Sequence, residues 1–331
     1  MISSTSQYID GLRLANRIVL PPMASQKAVN GEVTDELIAH YQNYIHSGVG
    51  LVIVEHSYVN REGRASEHML NACPDNKDAL KQLAGALEGE SIPVAMQLNH
   101  AGAATTKELT GGRVLSPSGV RSRRSDACAE PEVMTEEDIQ TVIRAFADAA
   151  VCVKEAGFQI IEIHSAHGYL LDQFYSPLTN KRKDNYGGSL ENRIRIHVEI
   201  IRAIKQAVGE TFPLMIRLGG SDYTEGGATI EDAVRAAVIF EKEGVHAIDL
   251  SGGLCGYQNP GNTYAYGYFQ DMSCAVTEAV EIPVMLTGGI TTIAQAETLL
   301  AERCCDLVGV GRALLENVDW LKDQPQYHRA G

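Results

Sequence analysis

Eight short apolar runs, each followed by a longer amphipathic stretch, constrain the fold of this chain more tightly than any other feature. They are Ile18–Met23, Gly50–Val54, Ile92–Leu98, Phe158–Ile163, Leu214–Leu218, Ala247–Leu250, Val284–Leu286 and Leu307–Val310. Rich in Val, Ile and Leu without clean alternation, they read as strands buried on both faces. The stretches between them carry helix starts. Thr34 precedes Asp35 and Glu36, and Thr135 to Asp138 form a capping box before Ile139, Val142, Ile143 and Phe146. Further helices are predicted over Asp75–Glu88, Leu190–Val208, Ile230–Glu243, Met272–Val280 and Ala294–Glu302. Strands alternating with helices form parallel βαβ units. Eight such units predict an α/β fold of the closed (β/α)8 TIM-barrel type, although an open doubly wound sheet alternates in the same way.

Two segments fall outside the repeat. Tyr8–Asn16 reads as an N-terminal hairpin turning at Asp10-Gly11 and plugging the barrel floor. His100–Met134 is a long loop after strand three, and loops of that length are usually functional or mobile. No linker or composition break divides residues 1–331, so one domain is expected.

Composition narrows the partners. The formal charge of −14 argues against nucleic acid and anionic membranes, which both need a basic surface. An anionic cofactor then requires a local focus of backbone N–H groups and arginine. Seven scattered cysteines without a C-x-x-C pair suggest neither a disulfide framework nor a thiolate metal cluster, and a reduced, cytoplasmic setting is expected. The polar start, Met1 to Asp10, lacks a signal-peptide core, and no stretch approaches the ~20 apolar residues that cross a bilayer.

The densest chemical signal is Ile161-Glu162-Ile163-His164-Ser165-Ala166-His167-Gly168-Tyr169, at the end of strand four. Barrel strand ends deliver their residues to the catalytic mouth. Two imidazoles and a phenol there can converge on one substrate oxygen, the rings donating to a developing oxyanion and the phenol supplying a proton. Packing or a metal pair is the other reading of His164 and His167. A zinc site needs a third ligand, and no Cys or carboxylate is placed to supply it, so no metal is expected.

A second constellation suits phosphate. Thr287-Gly288-Gly289-Ile290 ends strand seven and Gly309-Val310-Gly311-Arg312 ends strand eight, where barrels commonly hold a phosphate on backbone N–H groups. Arg312 adds a charge-assisted contact. Turns need glycine too, and Ser251-Gly252-Gly253 repeats the pattern after strand six.

The stretch His164-x-x-His167-x-Tyr169, Leu171-x-x-Phe174-x-Ser176-Pro177 and Asn180-x-Arg182-x-Asp184-x-Tyr186-Gly187-Gly188-Ser189-x-Glu191-Asn192-Arg193 resembles the signature of the Old Yellow Enzyme family. The likeness extends from Asn16-Arg17-Ile18 to Arg312. It implies an FMN-dependent oxidoreductase that uses NAD(P)H to reduce electron-poor C=C bonds next to a carbonyl or nitro group. It assigns His164 and His167 to the substrate oxygen and Tyr169 to proton donation. It gives the Gly288, Gly289, Gly311 and Arg312 site to the FMN phosphate. Pro22, Met23 and Ala24 are then expected along the flavin ring, Gln97 at its pyrimidine part, and Arg217 facing N1 and O2. Arg217 within Met215-Ile216-Arg217-Leu218 also fits a buried ion pair with Asp222 or Glu162.

Several positions depart from the family pattern or leave alternatives open. Ala24 stands where many relatives carry Cys or Thr, which changes the expected redox poise. Gln26 stands where some short relatives have a substrate-contacting tyrosine. His56, read as following strand two, either contacts the flavin O4 or fills space. His100 lines the mouth or orients its loop. Arg121, Arg123 and Arg124 either attract a nicotinamide nucleotide or an acidic substrate, or form a solvated loop face. The tail Gln326-Tyr327-His328-Arg329 resembles endings in which a C-terminal arginine enters a neighbouring subunit's site, which implies a homo-oligomer, dimer or tetramer. Family members with an iron–sulfur cluster carry cysteines just after the barrel. The last cysteine here is Cys305, so electrons are expected directly from NAD(P)H. Two other readings stay open: a reductase of flavin, quinone or oxygen, and a flavin-free barrel lyase or isomerase using the phosphate site.

Overall fold

The eight apolar runs become eight parallel strands, and the first pairs with both the second and the last. The computed structural model describes residues 1–88, 92–259, 261 and 264–324. Barrel strands β1 to β8 are Ile18–Leu20, Leu51–Tyr58, Val94–Asn99, Ile160–Ser165, Leu214–Ser221, Ala247–Gly252, Val284–Thr287 and Leu307–Gly309. Val19 faces Leu51 of β2 while Ile18 faces Val308 of β8, which closes the sheet into a barrel. The doubly wound alternative is thereby excluded.

Helices α1 to α8 are Asp35–Ile45, Lys77–Ala86, Glu136–Ala156, Arg195–Val208, Ile230–Lys242, Gln270–Thr277, Ile293–Ala301 and Arg312–Glu316. Threonine starts four of them. Thr34 accepts from Leu37 N, while Thr135, Thr229 and Thr292 form full capping boxes with Asp138, Asp232 and Gln295. Each such cap stabilises its helix by about 1 kcal/mol. The helix expected from Leu190 to Val208 breaks at Ile194, so a short Leu190–Arg193 turn precedes α4. Among the described residues no helix is long and apolar enough to cross a membrane.

Strand ends shift where chemistry demands it. β1 stops at Leu20 because Pro21 and Pro22 have no N–H to give a ladder. β2 runs on to Tyr58, so His56 lies inside the strand and not after it. The register with β3 shifts between Val54 and Ser57, beside His56. Such an irregularity re-aims a side chain, here at a barrel rim.

The hairpin forms where the sequence places it. Gln7–Ile9 pairs antiparallel with Leu12–Leu14, and Asp10 and Gly11 both take positive φ (45° and 79°), as a two-residue turn of the I′ kind requires. Ile9 and Leu14 pack into one buried cluster with a residue from every barrel strand: Val19, Leu51, Ile53, Ala95, Ile160, Met215, Ala247, Met285 and Leu307. That cluster is the barrel floor. It is apolar, and the inward polar residues Gln97, Glu162, Arg217 and Asp249 follow it two positions further along their strands.

Cys274 of α6 and Cys304, just before β8, are joined by a disulfide, contrary to the reading of the cysteines as unpaired. The two are 30 residues apart in sequence, a spacing with no local signature, and only the packing of α6 beside the start of β8 brings them together. The other five cysteines are free.

Candidate active site

Two residues above the apolar floor, four strands each turn a polar side chain inward. Strand side chains alternate with period two, so the step from Ala95, Ile160, Met215 and Ala247 reaches Gln97, Glu162, Arg217 and Asp249. All four are buried, and Arg217 is 5% exposed. Gln97 Nε2 donates to Glu162 Oε1 at 2.8 Å. Arg217 Nε lies 3.1 Å from Asp249 Oδ2 in an ion pair, yet the two atoms are not aligned as a hydrogen bond.

The mate of Arg217 is therefore Asp249, not Asp222. Asp222 instead accepts from Ser176 Oγ and from the amides of Ala228 and Leu254. Asp249 could have been found by the anomaly that exposed Arg217, since Ala247-Ile248-Asp249-Leu250 is also an apolar strand with one charge. Burial pushes the Asp249 carboxyl up to about 6 against the pull of Arg217. Glu162 is raised further, by burial and by the charge of Asp249. Two buried carboxylates beside one guanidinium raise each other's proton affinity, and both shifts here favour the protonated form.

Four rings crowd the mouth above that layer. His164 centres 5.2 Å from His167, 5.1 Å from Tyr169 and 6.0 Å from His56, and His56 lies 5.3 Å from Tyr169. β4 supplies His164 and the following turn supplies His167 and Tyr169. His167 takes a left-handed backbone (φ 60°), and its Nε2 lies 2.7 Å from Ser251 Oγ at the end of β6. His56 Nδ1 contacts Asn99 Nδ2 at 3.1 Å. Burial draws His56 down to about 4 and lowers His164 and His167 well below the usual imidazole range, so all three are neutral at pH 7. His164 Nδ1 is buried with no partner among the described residues. Burial raises the Tyr169 phenol, with Arg124 pulling the other way. It stays protonated.

Arg124 is the residue that sequence reasoning undervalued. Its guanidinium stacks 4.5 Å from the Tyr169 ring centre, donates to Tyr169 Oη at 3.3 Å and reaches the carbonyl of His167. A charge run in a long loop carries no signal of what it will fold onto. His100 matches its loop-orienting reading: it is buried, and its Nδ1 accepts from Gly102 N at 3.1 Å.

The glycine sites gather on the opposite rim. A Cβ on Gly289, which has positive φ (66°), would run into the Tyr268 ring, so this position requires glycine, whereas one on Gly311 would meet only the flexible Met23 side chain, at 2.9 Å. Arg312 Nη2 donates to Tyr268 Oη at 3.4 Å. Gly289, Arg312 and Tyr268 line a 290 Å³ cavity that Thr291 and Glu316 also face. Tyr268 had no sequence signal. Pro22 is buried, Ala24 and Gln26 are exposed, and Gln26 has positive φ (62°). Gln26 joins none of the four rings. Arg329 lies outside the described residues.

These groups suit FMN. A buried arginine, a glutamine, the unpartnered Glu162 Oε2 and small Ala24 at the open rim fit a polar, planar edge, and the Gly289–Arg312 cavity fits a phosphate.

One buried histidine beneath the site supports it structurally. His197 Nε2 lies 2.8 Å from Ser165 Oγ at the end of β4, and burial lowers the ring to about 3. The folded protein holds it neutral while the unfolded chain protonates it below about 6.5. Stability from this group is thus lost as pH falls through that window. Replacing His197 with Gln is expected to flatten the stability-versus-pH slope near pH 5 by about 1.4 kcal/mol per pH unit, one proton's worth, in urea unfolding. An unchanged slope would mean the ring is not buried neutral.

A model of the NADH:flavin oxidoreductase / NADH oxidase family matches residues 8–329. The chain is 38% identical over 323 residues to an NADH oxidase of Thermoanaerobacter brockii, covering 95% of this chain and 49% of that protein. It is 36% identical over 314 residues to a metal reductase of Desulforamulus reducens, covering 93% of this chain and 46% of that protein. The chain thus spans about half the length of these two relatives. An NADPH dehydrogenase of Listeria monocytogenes is 38% identical over 323 residues, covering 96% of this chain and 93% of the relative. Among solved structures, morphinone reductase shares the fold with a TM-score of 0.83 at 21% identity, over 99% of this chain and 90% of that one. A 2-naphthoyl-CoA reductase gives 0.89 at 24% identity, over 98% and 53%. The match leaves the flavin-free lyase reading without support. Identity at this level over nearly the whole chain exceeds what a shared barrel alone produces, so the chain belongs to the NADH:flavin oxidoreductase / NADH oxidase family, the FMN-dependent oxidoreductases that the His164–Arg193 stretch resembles.

Proposed function

We propose that this protein takes electrons from NAD(P)H and reduces C=C bonds conjugated to a carbonyl or nitro group. The observation that carries the reading is the neutral ring cluster at one strand end: two imidazoles centred 5.2 Å apart and a protonated phenol 5.1 Å from His164, with His164 and Tyr169 buried and His167 half-buried. FMN, when bound against Arg217, Gln97 and the Gly289–Arg312 rim, supplies the hydride.

The chain's own residues do the rest. A neutral imidazole has one N–H to donate, and the unpartnered His164 Nδ1 marks the ring that lacks a protein mate. His167 is held by Ser251 on a left-handed backbone, with its ring centred 5.2 Å from that of His164. Together they bind the oxygen on which negative charge develops, in a largely buried site where each bond counts for more. Tyr169 gives its proton to the carbon next to that oxygen-bearing group. Burial raises its pKa, but the enolate formed from a carbonyl substrate is far more basic than a phenolate, so with such substrates the transfer runs downhill. Arg124 steadies the phenolate left behind.

Purified protein is expected to be yellow. In anaerobic stopped-flow, NADPH should bleach it, and cyclohexenone should restore the colour within a turnover. Restoration by quinone or oxygen but by no activated alkene would favour a reductase with a non-alkene acceptor instead.

A further inference from the structure

The loop after β3 brings three arginines, Arg121, Arg123 and Arg124, to the wall of a 440 Å³ cavity beside the catalytic turn. Gly168, Gln173 and Leu254 line it as well. Gly168 takes a left-handed backbone (φ 73°), and a Cβ there would rest 3.7 Å from both Arg124 Cδ and Leu254 Cδ2. Among the described residues no carboxylate lines the cavity, in a chain of formal charge −14. Positive charge collected in one concavity of an acidic protein focuses anions there.

The three side chains are committed differently. Arg121 holds the loop: it donates to Cys128 O at 2.7 Å and Asp126 O at 2.6 Å, with Glu130 3.7 Å away. Arg124 spans two tasks, one face on the Tyr169 ring and the rest of the group on the cavity wall. Arg123 is exposed and bonds to no described residue. An uncommitted guanidinium next to a shared one is the arrangement that takes a carboxylate or phosphate.

We propose that this cavity is a subsite for an anionic group, carboxylate or phosphate, on the molecule that reacts at Tyr169. The proposal rests on the reading above only for which residue marks the reacting end. In a ping-pong cycle the nucleotide and the oxidising substrate use one mouth in turn, so either can bring the anion. Because Arg124 touches both cavity and phenol, occupancy is felt at the proton donor.

The test uses the FMN-loaded protein and the variants R123E and R123A. In one arm, flavin reduction by NADPH is compared with reduction by dihydronicotinamide riboside, which has no phosphate. In the other, reoxidation by an enone bearing a remote carboxylate is compared with reoxidation by its methyl ester. R123E is expected to lower the charged-to-uncharged ratio of kcat/KM about tenfold in one arm, and R123A to move it the same way by less. A fall in the first arm makes the nucleotide's phosphate the occupant, and a fall in the second the substrate's carboxylate. The affected ratio should also shrink with added salt. Ratios unmoved in both arms overturn the proposal, whether or not free pyrophosphate binds. If no alkene reoxidises the protein but the nucleotide arm responds, the alkene reading falls and the subsite stands.

Discussion

Replacing Tyr169 with Phe is expected to slow reoxidation by an activated alkene at least about 100-fold while leaving flavin reduction by NADPH near its original rate. The separation follows from what the hydroxyl does. Only the alkene half-reaction needs a proton delivered to carbon, and Tyr169 Oη is the O–H in the ring cluster. Phenylalanine keeps the ring against His164 and His56 and beneath the Arg124 guanidinium, so packing survives. The folded protein should lose only about 1 kcal/mol, the net worth of the bond from Arg124. Anaerobic single-turnover traces in both directions check this. Equal slowing of both half-reactions would remove Tyr169 from its assigned role.

Replacing Arg217 with Leu should damage the barrel and its flavin affinity together. The substitution leaves Asp249 without its ion-pair partner and Glu162 without a neighbouring cation, both fully buried. Removing one partner of a buried pair costs about 3–5 kcal/mol. The cost should depend on pH in a defined direction. Asp249 already titrates near 6 with the arginine present, and without it the carboxyl moves higher. A folded pKa above the unfolded one means stability is fullest below about pH 4 and is lost as pH rises. The gap between wild type and variant should therefore be small at pH 5 and widest at pH 8. Urea unfolding of the flavin-stripped protein measures it free of cofactor binding, and flavin retention on the loaded protein is read separately. A gap that is constant across pH would mean that Asp249 does not depend on Arg217.

Much of the fold was legible because its determinants are local. Apolar runs of strand length, threonine before acid at helix starts, and Asp10-Gly11 between Ile9 and Leu12 each act over a few residues, and the elements formed in the order read, with shifts at their ends such as β1 stopping at Leu20 and β2 running on to Tyr58. The strand-end rule also carried His164, His167 and Tyr169 to one mouth, because spacing along a single strand and turn fixes their separation. Arg217 was recognisable as a charge out of place. What failed did so for the same reason. The mate of Arg217 sits on the next strand, Cys274 and Cys304 meet across two elements, and His56 turned out to lie within β2, its neighbours set by a register shift with β3.

The amino-acid sequence by itself therefore determined the number and order of the barrel units, the plug hairpin and the cluster at the end of β4, since each depends on neighbours within a few positions. Only the tertiary structure decided that Gln97, Glu162, Arg217 and Asp249 share one buried layer, that Tyr268 packs on Gly289, and that Arg124 caps the phenol. Those contacts join residues tens of positions apart. Their geometry comes from barrel closure and loop packing, and no short window of sequence contains it.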